Sequence, residues 1–236
     1  MSGLAKRNTC IRRVLFVCLC EVLTVGLQQP ALSLSRSLQY VGAHADAASS
    51  AWTSYSQADW LASNSILSVY QDRDGFTWVG TNEGLSVHSP GNQWLTFSTA
   101  EGLAGEIVTD ITPDPLRLRG RWVASFGGVS LLEDAGDPIE RSAYTSVAFT
   151  KADGLVEQFA SSVAADANGH VWIGTANIDD NGNEFGFGLS MLDTNQTPYT
   201  KTDDVWTTYT AGSGQLSSNL IRDIAIDSQG AVWVAT

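Results

Sequence analysis

The residues best placed to do chemistry recur at a fixed interval. Asn64, Glu106, Gln158 and Asn219 each stand three positions after a leucine (Leu61, Leu103, Leu155, Leu216), and Ser68, Asp110, Ser162 and Asp223 follow four positions later. Such amide, hydroxyl and carboxylate groups suit hydrogen bonding to a polar ligand. Side chains of these types also satisfy loop backbone groups, and both readings stand on the sequence alone. Trp60 occupies the place of Gly102, Gly154 and Gly214 and offers a ring face on which a sugar could stack, or a plug beneath a loop. Asp179-Asp180-Asn181-Gly182-Asn183-Glu184 carries oxygens at alternate positions, and Asp179, Asn181 and Asn183 have the spacing that suits calcium. The segment lacks the glycine and the bidentate carboxylate of a calcium loop. It therefore reads as a solvated turn in which Asp180 and Glu184 remain candidate ligand contacts, as does Arg222.

Other chemistry finds little support. His44, His88 and His170 are far apart in sequence, and the three cysteines lie within the first 20 residues. Neither set forms a ligand or nucleophile pair, and no nucleophile elbow, phosphate loop or dinucleotide fingerprint occurs. No cofactor is expected beyond the calcium option. Glu106 and Asp110 keep carboxylate chemistry open. A net charge of -12 repels phosphate backbones and argues against a nucleic-acid partner. Arg117, Arg119 and Arg121 read as a solvated basic turn.

The elements that must position these residues are repeats. Asp74-Gly75-Phe76-Thr77-Trp78-Val79-Gly80-Thr81 returns as Asn168 to Thr175 and as Gln229 to Thr236, with a weaker copy at Arg119 to Ser125. An aspartate precedes each tryptophan: Asp72, Asp114, Asp166 and Asp227. Each unit reads as four short strands, for example Ile66-Gln71, Phe76-Thr81, Gly84-Val87 and Trp94-Phe97, with the tryptophan filling the space between neighbouring sheets. Antiparallel four-stranded repeats of roughly 45 residues predict an all-β fold, a β-propeller. Its blades run about 64-99, 106-150, 158-210 and 219-236. A strand at 52-56 is expected to close the ring as an outer strand. About three and a half blades are present, an incomplete ring that reads as a fragment or a truncated gene. Equivalent positions converge on a propeller axis, so the recurring polar residues are expected to form a ring at one mouth, with the 176-187 insertion on the same face.

Before the repeats, Lys6, Arg7, Arg12 and Arg13 precede an apolar run from Val14 to Leu27. With Ala31-Leu32-Ser33 behind it, the pattern reads as a signal peptide over 1-33, followed by a linker over 34-51 and the propeller over 52-236. The 14-residue run is short of the ~20 residues a spanning helix needs. Secretion or periplasmic export follows.

Leu216-Ser217-Ser218-Asn219-Leu220-Ile221-Arg222-Asp223-Ile224, continued by Asp227, Gly230 and Trp233-Val234, resembles the two-component regulator propeller repeat. Leu61 to Leu85 and Leu155 to Leu189 resemble it nearly as well; the second unit departs at Pro113 to Arg119, and Ala235 replaces a glycine. The resemblance implies an extracytoplasmic sensor propeller, a small-molecule or oligosaccharide ligand, and a membrane-bound signalling partner or missing C-terminal part. An extracellular protein-binding scaffold and a glycan lyase or hydrolase are the alternatives. Catalysis is the less favoured of these.

Overall fold

The computed structural model describes residues 53-236. The leader, the linker, the cysteines, His44 and Trp52 lie outside the described residues. Blade 1 comprises β1 (Ile66–Gln71), β2 (Thr77–Thr81), β3 (Gly84–His88) and β4 (Trp94–Phe97). Blade 2 comprises β5 (Val108–Pro113), β6 (Gly120–Ser125), β7 (Gly128–Asp134) and β8 (Tyr144–Phe149). Blade 3 comprises β9 (Ala160–Ala165), β10 (His170–Thr175), β13 (Leu189–Asp193) and β14 (Val205–Tyr209), with β11 (Asn177–Ile178) and β12 (Glu184–Phe185) forming a hairpin between its second and third strands. Blade 4 contributes β15 (Asp223–Ile226) and β16 (Val232–Ala235). Each sheet is antiparallel in simple chain order. The fold is all-β and built of propeller blades, and the described residues form no closed ring. Residues 53-56 form no strand; their expected closing role finds no sheet partner among the described residues.

The recurring aspartate explains the hairpin between the first two strands. Asp72 Oδ1 accepts the N–H groups of Asp74 and Phe76, while its Oδ2 accepts Trp78 Nε1 at 3.0 Å. Asp166 does the same for Asn168, His170 and Trp172, and Asp227 for Gln229, Ala231 and Trp233. One carboxylate thus builds the turn and satisfies an indole that would otherwise be buried without a partner. In blade 2 the longer turn shifts the backbone donors to Leu116 and Arg117, and Asp114 Oδ2 still accepts Trp122 Nε1. Trp78 and Trp122 are fully buried, as expected, and Trp172 is partly buried. Trp233 is 64% exposed, because no further sheet covers its face among the described residues.

Between blades the chain is tied at the inner and outer edges. Connectors begin with a capping box, in which Ser98 is paired with Glu101 and Thr150 with Asp153, and then turn through Gly102 and Gly154. Leu61, Leu103 and Leu155 follow, buried. The next residue donates its N–H to a buried serine hydroxyl: Ala62 to Ser86, Ala104 to Ser130, Val156 to Ser190. Three tightly packed clusters fill the interfaces, centred on Trp78, on Trp122 and on Ile221 with Ile224.

The outer edges use cations. Arg141, just before β8, pairs with Glu101 at 2.6 Å, donates to Thr96 O and lies over the Phe97 ring. Lys201, just before β14, repeats this with Asp153, Ala148 O and the Phe149 ring. The arginines expected in a solvated turn are instead interface residues. Arg121 is 4% exposed, stacks on Trp78, and bridges Asp72 of blade 1 and Asp134 of blade 2, each at 2.8 Å. Arg119 also pairs with Asp134, and Arg117 joins Asp114 to Gln196 O of blade 3. The turn is basic because aspartates from two blades converge there, and burying them without a cation would be costly.

Candidate ligand-recognition face

The face that carries the 176-187 insertion is built from the β2–β3, β6–β7 and β10–β13 connections and from the segments leading into each inner strand. Main-chain bonds fix these pieces together. Gly84 N–H donates to Glu106 O, Gly127 N–H to Gln158 O, and Gly188 N–H to Asn219 O. Within blades, Asn82 N–H meets Ser65 O, Phe126 N–H meets Ile107 O, and Ala176 N–H meets Phe159 O.

The recurring amide and carboxylate positions are therefore tie points. Their side chains cap the short helical turns of the connectors. Asn64 Oδ1 accepts Gln57 N–H, Glu106 Oε1 accepts Thr99 N–H and its hydroxyl, and Asn219 Oδ1 accepts Ala211 N–H. In blade 3 the preceding residue takes over: Glu157 pairs with Lys151 at 2.7 Å, and that contact holds its carboxyl below the usual range. Gln158 is exposed.

The second recurring set divides by blade. Asp110 Oδ1 accepts Ile111 N–H while its Oδ2 accepts Val163 N–H of the next inner strand. One carboxylate so serves two blades. Asp223 Oδ1 accepts Ile224 N–H in the same way. Ser68 and Ser162 do not join this ring. Their hydroxyls lie buried, without a hydrogen-bond partner, against the sites where Gly80 and Gly174 lack a side chain. A β-bulge at Leu67, Thr109 and Ser161 rotates the inner strand just before this position. It aims Thr109 Oγ1 at Ala160 O and Ser161 Oγ at Ile221 O of the following blades. The ring expected from register is thus interrupted at Ser68 and Ser162, whose hydroxyls lie in the sheet.

In the insertion, Asp179 Oδ1 accepts the N–H groups of Asn181 and Asn183, and Asn183 donates its side-chain amide to Asp179 Oδ2. The Asn183 contact first, then the backbone donors, hold Asp179 below the ordinary carboxylate range. Both oxygens of Asp179 thus serve a hairpin turn, and no group of three His, Cys, Asp or Glu side chains suited to a metal occurs among the described residues. Glu184 reaches blade 4 and grips Arg222 with both oxygens, which lowers the carboxyl and raises the guanidinium. Asp180 is exposed beside them.

Trp60 is 75% exposed and sits at φ 79°, in the left-handed region. At the equivalent Gly102 and Gly154 a Cβ would meet Ser146 and Trp206, so glycine is required there. At Trp60 an L-residue bears roughly 1–2 kcal/mol of strain. Nearby, Tyr55, His88 and Trp94 form a partly exposed aromatic cluster, with ring centroids 4.4–5.3 Å apart.

Sequence reasoning missed the phenylalanines. Phe126 and Phe159 bridge blades 2 and 3 with centroids 5.3 Å apart, and Phe185 and Phe187 on the insertion form a second edge-to-face pair at 5.5 Å. None recurs at equivalent positions, so a search for repeated residues passes over them. A shallow depression on blade 4, lined by Asp223, Ala225, Trp233, Val234 and Ala235, is a separate feature.

A family model described as "two component regulator propeller" matches residues 61–83, 154–177 and 215–236. The chain carries two-component regulator propeller repeats. The unmatched unit is blade 2, whose turn is the longer one. Among solved structures, the extracellular domain of what is described as a hybrid two component system, BT3049 of B. thetaiotaomicron, is similar at 25% identity and a TM-score of 0.54. The likeness covers 74% of this chain and 20% of that one. The extracellular domain of BT4673 from the same organism, described as a one component system, shares the fold at 20% identity and a TM-score of 0.51, over 75% and 21% of the two chains. PorZ of Porphyromonas gingivalis, a surface component of the type-IX secretion system, shares it at 16% identity and a TM-score of 0.50, over 72% and 24%. The chain therefore spans about a fifth to a quarter of each similar structure. No curated protein matches the sequence. Among the described residues no helix is long and apolar enough to cross a membrane.

Proposed function

We propose that this chain is part of an extracytoplasmic sensor of two-component type that recognises an oligosaccharide on the face carrying the 176-187 insertion. The likeness at 25% identity to an extracellular domain of a two component system carries this reading. The leader over 1-33 agrees with export. Signal output belongs to a membrane-bound partner or to chain beyond these repeats. The propeller supplies binding, with no chemistry of its own.

Trp60 is the residue that best supports an oligosaccharide. An exposed indole held in a strained backbone presents its ring to solvent, and sugar C–H faces stack on such rings. Gln158, Asp180 and the Arg222–Glu184 pair offer hydrogen bonds around the face, with Asn64, Glu106, Asn219, Asp110 and Asp223 supplying what capacity their structural bonds leave. Ser68 and Ser162 are withdrawn from the set by their burial. The exported protein is expected to start between about Leu34 and Ala48, which N-terminal sequencing checks. Binding is tested by titrating residues 34-236 with oligosaccharides and comparing Trp60→Ala with Arg119→Ala on the opposite face. Loss in the first alone supports the reading, and equal loss in both rejects it.

A further inference from the structure

The recognition face is uneven in two respects that together restrict its ligand. The first is charge. Its loops carry Glu83, Glu106, Asp179, Asp180 and Glu184, against Arg222 as the basic residue among them. Both terminal nitrogens of that guanidinium are already on Glu184, at 3.1 and 2.5 Å, which neutralises its charge locally. The nearby Lys151 is likewise held by Glu157. Each cation near this face is thus committed to a carboxylate, and several carboxylates are left over. A ligand bearing uronate or sulphate groups would meet net repulsion with no unpaired donor cation to bind it.

The second is shape. At blade 1 the face is polar, with Ser65, Asn82 and Glu83. At blades 2 and 3 the same positions hold Ile107, Phe126 and Phe159, continued across Ala176 to Phe185 and Phe187. Backbone bonds join Ile107, Phe126, Phe159 and Ala176, Asn177 next in the chain pairs with Phe185, and the Phe187 ring meets that of Phe185 with centroids 5.5 Å apart. Phenylalanine has no polar handle, so the strip offers apolar contact alone, bordered by the exposed amide of Gln158 and by Asp180.

We infer that the ligand is an oligosaccharide without negative charge, its apolar sugar faces laid over the strip formed by Phe126, Phe159, Phe185 and Phe187. This rests on the oligosaccharide reading above. Uncharged hydroxyls accept from Gln158 and donate to carboxylates without desolvating a like charge, whereas an anionic chain has to overcome the rim.

The test uses residues 34-236 on an array of neutral, uronate and sulphated oligosaccharides of matched length, at about 50 and about 300 mM salt. Neutral chains should be retained at both salts and anionic ones bound at least roughly tenfold more weakly, most clearly at low salt. Phe126→Ala and Phe185→Ser should weaken neutral binding roughly tenfold. Phe185 is 36% exposed, so its replacement leaves the core intact. The double variant Glu83→Lys, Asp180→Lys should raise anionic binding. Anionic chains held as tightly as neutral ones, or phenylalanine variants that bind like the parent, overturn the inference while the oligosaccharide reading survives. Retention of no sugar of any class overturns that reading itself, and this inference with it.

Discussion

Arg121 and Val171 stand at the same place in consecutive blades, one residue before the blade tryptophan. Arg121 enters the interface of blades 1 and 2 as a buried ion, stacked on Trp78 between Asp72 and Asp134. Val171 enters the interface of blades 2 and 3 as plain apolar volume beside Trp122. There the charge of Asp114 is met from the side by Arg117, which lies nearer solvent. One repeat geometry thus tolerates two solutions to the same contact. The ionic solution fixes which carboxylates must meet, at the expense of desolvation. The apolar one depends on filling space.

The largest effect should come from breaking the ionic interface. Arg121→Met leaves Asp72 buried without a cation and Asp134 with Arg119 alone, and should cost ~3–5 kcal/mol in urea titration. Adding Asp72→Asn, which removes the unpaired charge and keeps one acceptor oxygen for the turn, should recover part of that loss. If it does not, the arginine acts through its packing on Trp78 instead. On the apolar side, Val171→Ala should cost ~1.5–2.5 kcal/mol by the same titration, with little dependence on salt.

Trp60→Gly separates stability from recognition. It should raise stability by ~1 kcal/mol through relief of the left-handed strain, while lowering ligand affinity. A variant that is both less stable and fully binding would show that the indole packs. At the outer edge, Lys201→Ala should cost no more than ~0.5–1 kcal/mol and less at high salt, because that ion pair is partly solvated.

Acid titration sharpens the contrast further. Burial, and then neighbouring Asp203, raise the carboxyl of Asp204, whose oxygens have no hydrogen-bond partner. Its folded form therefore prefers the proton, so its destabilising contribution grows as pH rises from the usual carboxylate value through the raised one. Asp204→Asn should stabilise the protein at pH 7 and leave it unchanged near pH 3. Asp166 behaves oppositely. Burial pushes it up, but the bonds from His170, Trp172 and Asn168 win and hold it low. The stability it contributes is present above the ordinary carboxylate range and is lost as pH falls through its depressed value. Melting curves between pH 3 and pH 7 on Asp204→Asn and Asp166→Asn check both signs.

Strands Ile66–Gln71, Gly84–His88 and Trp94–Phe97 were legible because alternation and turn residues are local signals, repeated in each blade. The aspartate six residues before each of three tryptophans was legible too, whereas its bond to the indole, kept at a spacing of eight in blade 2, was not. Less visible was where each side chain points. Ser162 and Asp110 share a register position, yet one is sealed against Gly174 and the other spans two strands. The bulge at Ser161 depends on the ladder with β10, which no single segment encodes. The phenylalanines escaped notice for the opposite reason, since they interrupt the repeat.

By itself the sequence determined the blade: strand periods, turn aspartates, capping boxes and the acidic balance are all properties of short stretches. Tertiary structure decided the contacts between blades. It buried Arg121, which reads as part of a solvated turn, near the start of β6, because only the docked neighbour brings Asp72 to it. It gathered Phe126, Phe159 and Phe185 from segments far apart in the chain onto one face. Local pattern sets what a segment becomes. Which groups share a desolvated space depends on the packing of one sheet on the next, and there the electrostatic and apolar terms are settled.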